Sequence, residues 1–130
     1  MLAKHPIDVM LTAPDLAAVK EFYGNRVGLD VVIESDDFVT FRCGGDSRLV
    51  VTRTSTPSRE QQTKASWRVT DVAAEVAELR TRGVAVVDYD EPGLVTVDGV
   101  ADVGFALSAW FVDPGGNSIG LLQFKDKGSA

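Results

Sequence analysis

The sequence predicts an α+β fold built from two tandem βαβββ modules. Strand-like and helix-like segments follow the same order in both halves, and each helix begins after an aspartate, Asp15 or Asp71. Setting Asp15 over Asp71 aligns "PDLAAVKEFY" with "TDVAAEVAEL". With a one-residue slip, Gly28 falls on Gly83. This repeat predicts a single domain, 1–130, with module one at about 5–54, a linker at about 55–63 and module two at about 64–124.

The first module starts with a short apolar strand at 7–12. Asp15 then caps a helix whose apolar residues recur at helical spacing until Gly28. Three strands follow, "LDVVIE", "DFVTFRC" and "SRLVVTR", and "GGD" forms the hairpin turn between the last two. The polar run "TSTPSREQQTK" has the composition of an exposed linker.

The second module repeats this order. "ASWRV" is predicted as a strand, Asp71 caps a helix that Gly83 closes, and "VAVVDY" is the next strand. A long loop at about 88–106 follows, and its apolar β-like piece is "LVTV". Such a loop is either a lid over a binding site or a surface connection. "WFVDPGGNSIGLLQ" reads as strand, tight turn and strand, and the last six residues as a frayed tail.

Composition excludes several classes of function. The chain has 130 residues, of which 45% are hydrophobic and 25% charged, and these are ordinary values for a soluble domain. A net charge of -6 without a basic stripe argues against nucleic acid as a partner, and no apolar run is long enough for a membrane span. Cys43 is the single cysteine and "MLAKHPIDV" lacks a long apolar core, so a cytoplasmic protein is expected.

Gly120 interrupts the apolar strand that follows the last turn. Glycine weakens a strand interior unless another group approaches the backbone closely or a side chain has been lost. The sequence around Gly120 favours the second explanation, the loss of a side chain.

Three segments resemble the vicinal oxygen chelate superfamily, which includes glyoxalase I, bleomycin-resistance proteins and extradiol dioxygenases: "APDLAAVKEFYGNRVGL", "VTDVAAEVAELRTRGV" and "WFVDPGGNSIGLL". "DYDEPGLVTVDGVAD" further resembles a group of short bacterial glyoxalase-like proteins. The resemblance implies curved mixed sheets around a cleft, and commonly a homodimer. In enzymatic members, His and Glu side chains from four strands hold a divalent metal in that cleft.

Carrying those four ligand positions onto this sequence leaves few donors. The first falls on Asp8, the second near 50–52, the third on Ala65 and the fourth on Gly120. One carboxylate cannot satisfy a zinc ion or a hard cation, which need several protein ligands. The resemblance therefore implies a cleft without a metal and without any expected cofactor.

An emptied cleft is predicted to bind a small molecule. Alternation places three groups of residues on its faces: Pro6, Asp8, Met10 and Thr12; Ala65, Trp67 and Val69; Ser118, Gly120 and Leu122. Trp67 is expected to stack on a planar ligand, although a tryptophan also commonly serves a core or a dimer interface. The spacing leaves open whether Trp110 or Phe111, and Phe41 or Arg42, faces inward. The predicted ligand-binding residues are Asp8, Met10, Phe41, Thr52, Trp67, Trp110, Gly120 and Leu122.

The leading hypothesis is a metal-free cytoplasmic protein that sequesters or carries a planar, partly apolar ligand, and a homodimer is expected. Asp8, Thr52 and Gln123 are the candidates for its polar contacts. The alternative is a lyase or isomerase with Asp8 as catalytic base, its pKa raised in an apolar cleft, or a dioxygenase with unusual ligation of a divalent metal. A third possibility is an interaction module whose paired sheets serve only dimerisation.

Overall fold

A computed structural model describes residues 1–58 and 61–125. Part of the predicted linker, 59–60, and nearly all of the predicted tail, 126–130, lie outside the described residues. The described chain forms two compact units, one containing its first half together with Asp113–Asn117, and the other the remaining residues from 61 onward.

The first unit has the predicted βαβββ order. Its elements are a short 3-10 turn (Leu2–Lys4), β1 (Asp8–Ala13), α1 (Leu16–Val19), a π-helical segment (Lys20–Arg26), β2 (Asp30–Glu34), β3 (Phe38–Arg42) and β4 (Arg48–Arg53). The sheet order is β1-β4-β3-β2, in which β1 and β4 are parallel and the other neighbours antiparallel. A mixed sheet results because the helix carries the chain across to the far edge before the three later strands return.

The helix of this unit begins as predicted at Asp15, whose carboxylate accepts hydrogen bonds from the backbone N–H groups of Ala17 and Ala18. Its second half is π-helical, and the backbone N–H of Val27 donates to the Phe22 carbonyl at 2.9 Å. The apolar face predicted from the spacing is buried, and the Tyr23 ring is fully enclosed.

The second unit contains more strands than predicted. Its elements are β5 (Thr63–Arg68), α2 (Val72–Thr81), β6 (Asp90–Glu91), β7 (Leu94–Val97), β8 (Val100–Asp102), β9 (Ala106–Val112) and β10 (Ser118–Phe124). The sheet order is β5-β10-β9-β8-β7-β6, with β5 and β10 parallel. Asp71 caps α2 by accepting from the Ala74 N–H at 3.1 Å, as predicted.

Two predictions for this unit are wrong. "VAVVDY" is not a strand: it makes one isolated bridge, from Val86 to Phe111, and the Val87 N–H donates to the Trp110 carbonyl. The predicted long loop at 88–106 instead supplies β6, β7 and β8, which extend the sheet. Glycines with positive φ at Gly93, Gly99 and Gly104 make the tight turns that this meander requires.

The turn Asp113–Asn117 packs within the first unit through a buried hydrogen-bond network. The Asp113 carboxylate accepts from the backbone N–H groups of Gly115 and Asn117, both at 2.9 Å. The Asn117 side chain donates to the Thr12 carbonyl at 2.9 Å. The D-P-G-G-N sequence that carried the family resemblance therefore has a structural role, since it fixes this turn on the end of β1.

The predicted fold class is confirmed: two helices lie with two mixed sheets in the described chain. In each unit the core is on the side of the sheet that packs against its helix, where Leu11, Val51 and Phe41 in the first unit, and Phe111, Ile119 and Val76 in the second, are almost fully buried. No helix within the described ranges has the length and apolar character needed to cross a lipid bilayer.

Candidate functional site

The first sheet has a helical face and a non-helical face, and strand register assigns the residues to them. Asp8, Met10 and Thr12 of β1 pair with Arg48, Val50 and Thr52 of β4. These residues alternate with buried Leu11 and Ala13, which lie on the helical face. The non-helical face of the first sheet therefore consists of these six residues with Phe38, Thr40 and Arg42 of β3.

This register places three predicted ligand-binding residues, Asp8, Met10 and Thr52, on one face. Phe41 does not join them. Its side chain is fully buried on the helical face, with its ring centroid 5.7 Å from that of Tyr23. Of the two residues left open for β3, Arg42 therefore lies on the non-helical face and Phe41 on the helical face.

Asp8 is held by an arginine on the neighbouring strand. Arg48 Nη2 donates to Asp8 Oδ2 at 2.7 Å and Arg48 Nε to Oδ1 at 3.2 Å, so both carboxylate oxygens are engaged. The hydrogen bonds from Arg48 lower the pKa of Asp8 below its ordinary value, and the positive charge of Arg48 acts in the same direction. The expected increase in the pKa is therefore wrong, and Asp8 is a weak base in this setting.

The second sheet is also divided into two faces. Gly120 pairs with Ser66 and Trp110, and Leu122 pairs with Arg68 and Ser108. Paired residues share a face, so on β5, β10 and β9 the non-helical face of the second sheet carries Ser66, Arg68, Ser108, Trp110, Ser118, Gly120 and Leu122. The opposite face is marked by Gln123, whose Oε1 accepts from the backbone N–H of Val72 at the start of α2.

Gln123 is thus occupied in capping a helix and does not serve the ligand contact expected of it. Its position two residues after Leu121 identifies the helical face of β10.

The prediction that Trp67 and Ala65 share a face with Gly120 is wrong. Trp67 pairs with Leu121, and its ring stacks on that of Phe111 with centroids 6.4 Å apart and an interplanar angle of 24°. The count back from Asp71 was displaced by one residue, and a one-residue displacement moves every side chain of a strand to the other face. Ser66 lies where Ala65 was expected, and sequence reasoning missed both Ser66 and Arg68.

Gly120 is closely covered by its neighbours. A Cβ atom added there would lie 2.6 Å from Ser66 Oγ, 3.2 Å from Thr63 Cγ2 and 3.5 Å from Trp110 Cδ1. The residue at this position cannot bear a side chain without rearrangement of Ser66. Of the two explanations for glycine in this strand, the structure therefore shows the first: the Ser66 side chain closely approaches the backbone of Gly120.

Trp110, rather than Phe111, lies on this non-helical face, because Phe111 is 1% exposed on the opposite side. The Trp110 indole is half-buried, and its Nε1–H donates to Thr63 Oγ1 at 3.1 Å. The Tyr89 ring packs edge-on against it, with centroids 5.4 Å apart. These two contacts fix the orientation of the indole and leave part of it accessible.

The side chains at the four family ligand positions do not fit a divalent metal. Asp8 is bound by Arg48, the β4 positions offer Val50 and Thr52, and the second sheet offers Ala65 and Gly120, with the Ser66 hydroxyl beside Gly120. Hydroxyls and aliphatic groups are poor substitutes for the His and carboxylate donors that such ions take. Among the described residues there is also no group of three or more His, Cys, Asp or Glu side chains placed to hold a metal.

Comparison with known proteins agrees with this architecture. The sequence matches the Glyoxalase/Bleomycin resistance protein/Dioxygenase superfamily over residues 6–121. The chain belongs to this superfamily. No curated protein sequence matches it significantly.

Solved structures of this family share the fold over most of their length. A glyoxalase/bleomycin resistance protein from Streptomyces sp. CB03234 is 28% identical, with a TM-score of 0.62 and coverage of 90% of this chain and 100% of that one. TnmS3, an antibiotic binding protein from the same organism, is 26% identical, with a TM-score of 0.62 and coverage of 92% and 96%. Lactoylglutathione lyase from Agrobacterium tumefaciens is 25% identical, with a TM-score of 0.62 and coverage of 90% and 91%.

Proposed function

We propose that this chain binds a planar, partly apolar small molecule without a metal ion and sequesters or carries it. The observation that carries the proposal is the partly exposed indole of Trp110, held in place by Thr63 and Tyr89 on the non-helical face of the second sheet. A preordered aromatic surface of this kind recognises planar molecules by stacking, with little loss of side-chain freedom on binding.

The likeness to an antibiotic binding protein supports a binding role over catalysis. It does so together with the donor set, because the family metal chemistry needs ligands that these strands do not supply. The alternative of Asp8 as a catalytic base is opposed by its ion pair with Arg48, which favours the charged carboxylate and weakens its proton affinity.

Stacking alone gives weak binding. A ligand that buries about 200 Å² of apolar surface gains roughly 5 kcal/mol, whereas association costs about 4 kcal/mol or more. Useful affinity therefore needs polar contacts as well, and the exposed side chain of Ser66 lies on the same face as Trp110. Asp8, Met10 and Thr52 remain proposed contacts on the first sheet, and Leu122 remains one on the second sheet. Trp67 lies on the helical face of the second sheet and would meet a ligand only there.

The protein is proposed to act in the cytoplasm, since a chain with Cys43 as its single cysteine suits that reducing compartment. A homodimer is proposed as its functional form. Size-exclusion chromatography with light scattering gives the mass directly, and a mass near the 13.9 kDa of one chain would contradict the dimer.

The two tryptophans permit a direct test, because they lie on opposite faces of one sheet. Trp67→Phe leaves Trp110 as the single indole, and Trp110→Phe leaves Trp67. Each ¹⁵N-labelled variant is titrated with the neutral planar probe 2-naphthalenemethanol while its indole N–H resonance is followed by NMR. We expect a saturable shift of the Trp110 resonance and none of Trp67; a shift confined to Trp67 would contradict the proposed site.

The proposed independence from metal is tested separately. Protein purified without a chelating tag is dialysed against Ni²⁺, Zn²⁺, Mn²⁺ or Fe²⁺ and its metal content measured, with Asp8→Ala as the matched variant. We expect substoichiometric metal in both. Stoichiometric metal that is lost in Asp8→Ala would overturn the proposal in favour of the metal-dependent enzyme.

A further inference from the structure

Arg68 is a basic side chain on the same sheet face as Trp110, and the described part of the chain supplies no partner for its guanidinium. It lies on the non-helical face of the second sheet, because it pairs with Leu122, two residues beyond Gly120. It is exposed, and its side chain forms no ion pair or hydrogen bond with another described residue. An arginine in this state retains all of its donors for an external acceptor.

The described neighbours of Arg68 on its own sheet face are uncharged. On β5, β10 and β9 they are Ser66, Ser108, Trp110, Gly120 and Leu122. The other basic residue of β5, Lys64, lies in the bulge where the register with β10 shifts. The acidic partners that occupy other arginines, such as Glu78 for Arg82, are thus lacking on this part of the described sheet.

We infer that the ligand is a planar aromatic molecule that carries one anionic group, such as a carboxylate, and that Arg68 binds this group while Trp110 stacks on the rings. The inference rests on the proposed binding function. The spacing suits it: Arg68 lies two strands across from Trp110 and two residues along, which corresponds to about 10 Å and about 7 Å at normal sheet dimensions. A fused two-ring system with one substituent, reached by the long arginine side chain, spans this distance.

The net charge of the chain makes a preference for an anionic ligand a specific test of Arg68. The whole chain carries a net charge of -6, so its long-range field repels anions. A preference for an anionic ligand over its neutral analogue must therefore come from a local cation. A guanidinium is suited to this because its planar fork matches the two oxygens of a carboxylate.

The test compares two probes of the same shape, 2-naphthoate and 2-naphthalenemethanol, titrated into Trp67→Phe protein while the Trp110 indole resonance is followed. We expect naphthoate to bind about threefold to tenfold more tightly than the alcohol at low salt, as for a partly exposed charge-assisted contact. The preference should shrink at high ionic strength. Adding Arg68→Gln should abolish it and leave affinity for the alcohol unchanged.

The matched control is Arg82→Gln, which removes the same charge from the end of α2, on the opposite side of the sheet. This variant should keep the preference. Equal affinity for the two probes, or a preference that survives Arg68→Gln, would overturn the inference while the proposed binding function stands. Binding of neither probe would instead contradict the proposed function, and the inference with it.

Discussion

The hydroxyl of Tyr23 donates a 2.7 Å hydrogen bond to Oδ2 of Asp113, ninety positions away in the sequence. Tyr23 is fully buried and Asp113 is 5% exposed. The same carboxylate also accepts from the side chain of Asn117 and from the backbone of Gly115 and Asn117. Four donors compensate the cost of burying this acid, and they tie the turn 113–117 to the helix of the first unit.

Replacing Tyr23 with phenylalanine removes one of these donors without changing the ring. The buried carboxylate then loses a hydrogen bond that water cannot easily replace, so Tyr23→Phe should lower the free energy of unfolding by about 1–3 kcal/mol. Urea denaturation followed by circular dichroism measures this. The control is Tyr89→Phe, whose hydroxyl has no hydrogen-bond partner among the described residues, and which should change stability by less than about 0.5 kcal/mol. Equal losses in the two variants would contradict the role of the Tyr23 hydroxyl.

Tyr23 also predicts a dependence on alkaline pH. Burial raises the pKa of its phenol, and the negative charge of Asp113 raises it further. A folded-state pKa above the unfolded value of about 10 means that the protonated phenol stabilises the fold below that pH, and that this contribution is lost as the pH rises above it. The difference in unfolding free energy between wild type and Tyr23→Phe should therefore diminish above pH about 10. A difference that stays constant up to pH 11 would be inconsistent with the raised pKa.

Two glycines with opposite surroundings test the packing of the turn. A Cβ at Gly115 would overlap the Thr12 carbonyl oxygen and come within 2.9 Å of Ala13 Cβ, whereas one at Gly44 meets nothing within 4 Å. Gly115→Ala should cost about 3 kcal/mol or more, because backbone atoms must move. Gly44→Ala should be neutral or slightly stabilising, by up to about 1 kcal/mol. Thermal unfolding measures the stability of both variants against the wild type. A Gly115→Ala variant as stable as wild type would show that the turn is not docked on β1.

What the sequence could predict was the part determined locally. Asp15 and Asp71 cap their helices because a carboxylate next to a helix start accepts free N–H groups whatever the rest of the chain does. The tandem order, the turn 113–117 and most strand positions followed in the same way. The short strands β7 and β8 did not, because four- and three-residue segments set between glycine turns form strands only when a neighbouring strand is present.

The site depended on pairings between distant strands and was predicted less well. The ion pair of Asp8 with Arg48 joins residues forty positions apart, and their parallel register could not be derived from either strand alone. Trp67 was assigned to the wrong face because alternation gives the period of a strand but not its phase. Trp110 and Gly120 were both singled out from the sequence, but the pairing that places them side by side became clear only from the antiparallel register of β9 with β10.

The ion pair between Asp8 of β1 and Arg48 of β4 predicts a lowered pKa of Asp8, which can be measured. Because the hydrogen bonds of Arg48 lower the pKa of Asp8, Arg48→Gln should raise it toward the ordinary value of 3.8. The lowered pKa also implies that the pair stabilises the fold above pH about 4 and that this contribution is lost as the pH falls. NMR titration of the Asp8 side-chain carboxyl carbon measures the shift. Arg53→Gln, which breaks the more exposed pair with Asp37, is the control and should leave Asp8 unchanged; an identical Asp8 titration in all three proteins would rule out the pair in solution.

Gly120 and Ser66 should be energetically coupled, because the Ser66 hydroxyl occupies the space in which a Cβ of residue 120 would lie. In Gly120→Ala, Ser66 must rotate away, and the new methyl still lies close to Thr63 Cγ2, so we expect a loss of about 1–2 kcal/mol. Ser66→Ala alone should be nearly neutral, since the side chain is exposed. In the double variant the alanine at 120 no longer meets the hydroxyl, so its cost should fall by about 0.5 kcal/mol or more. Chemical denaturation of the four proteins completes the cycle, and strictly additive effects would show that Ser66 does not cover Gly120.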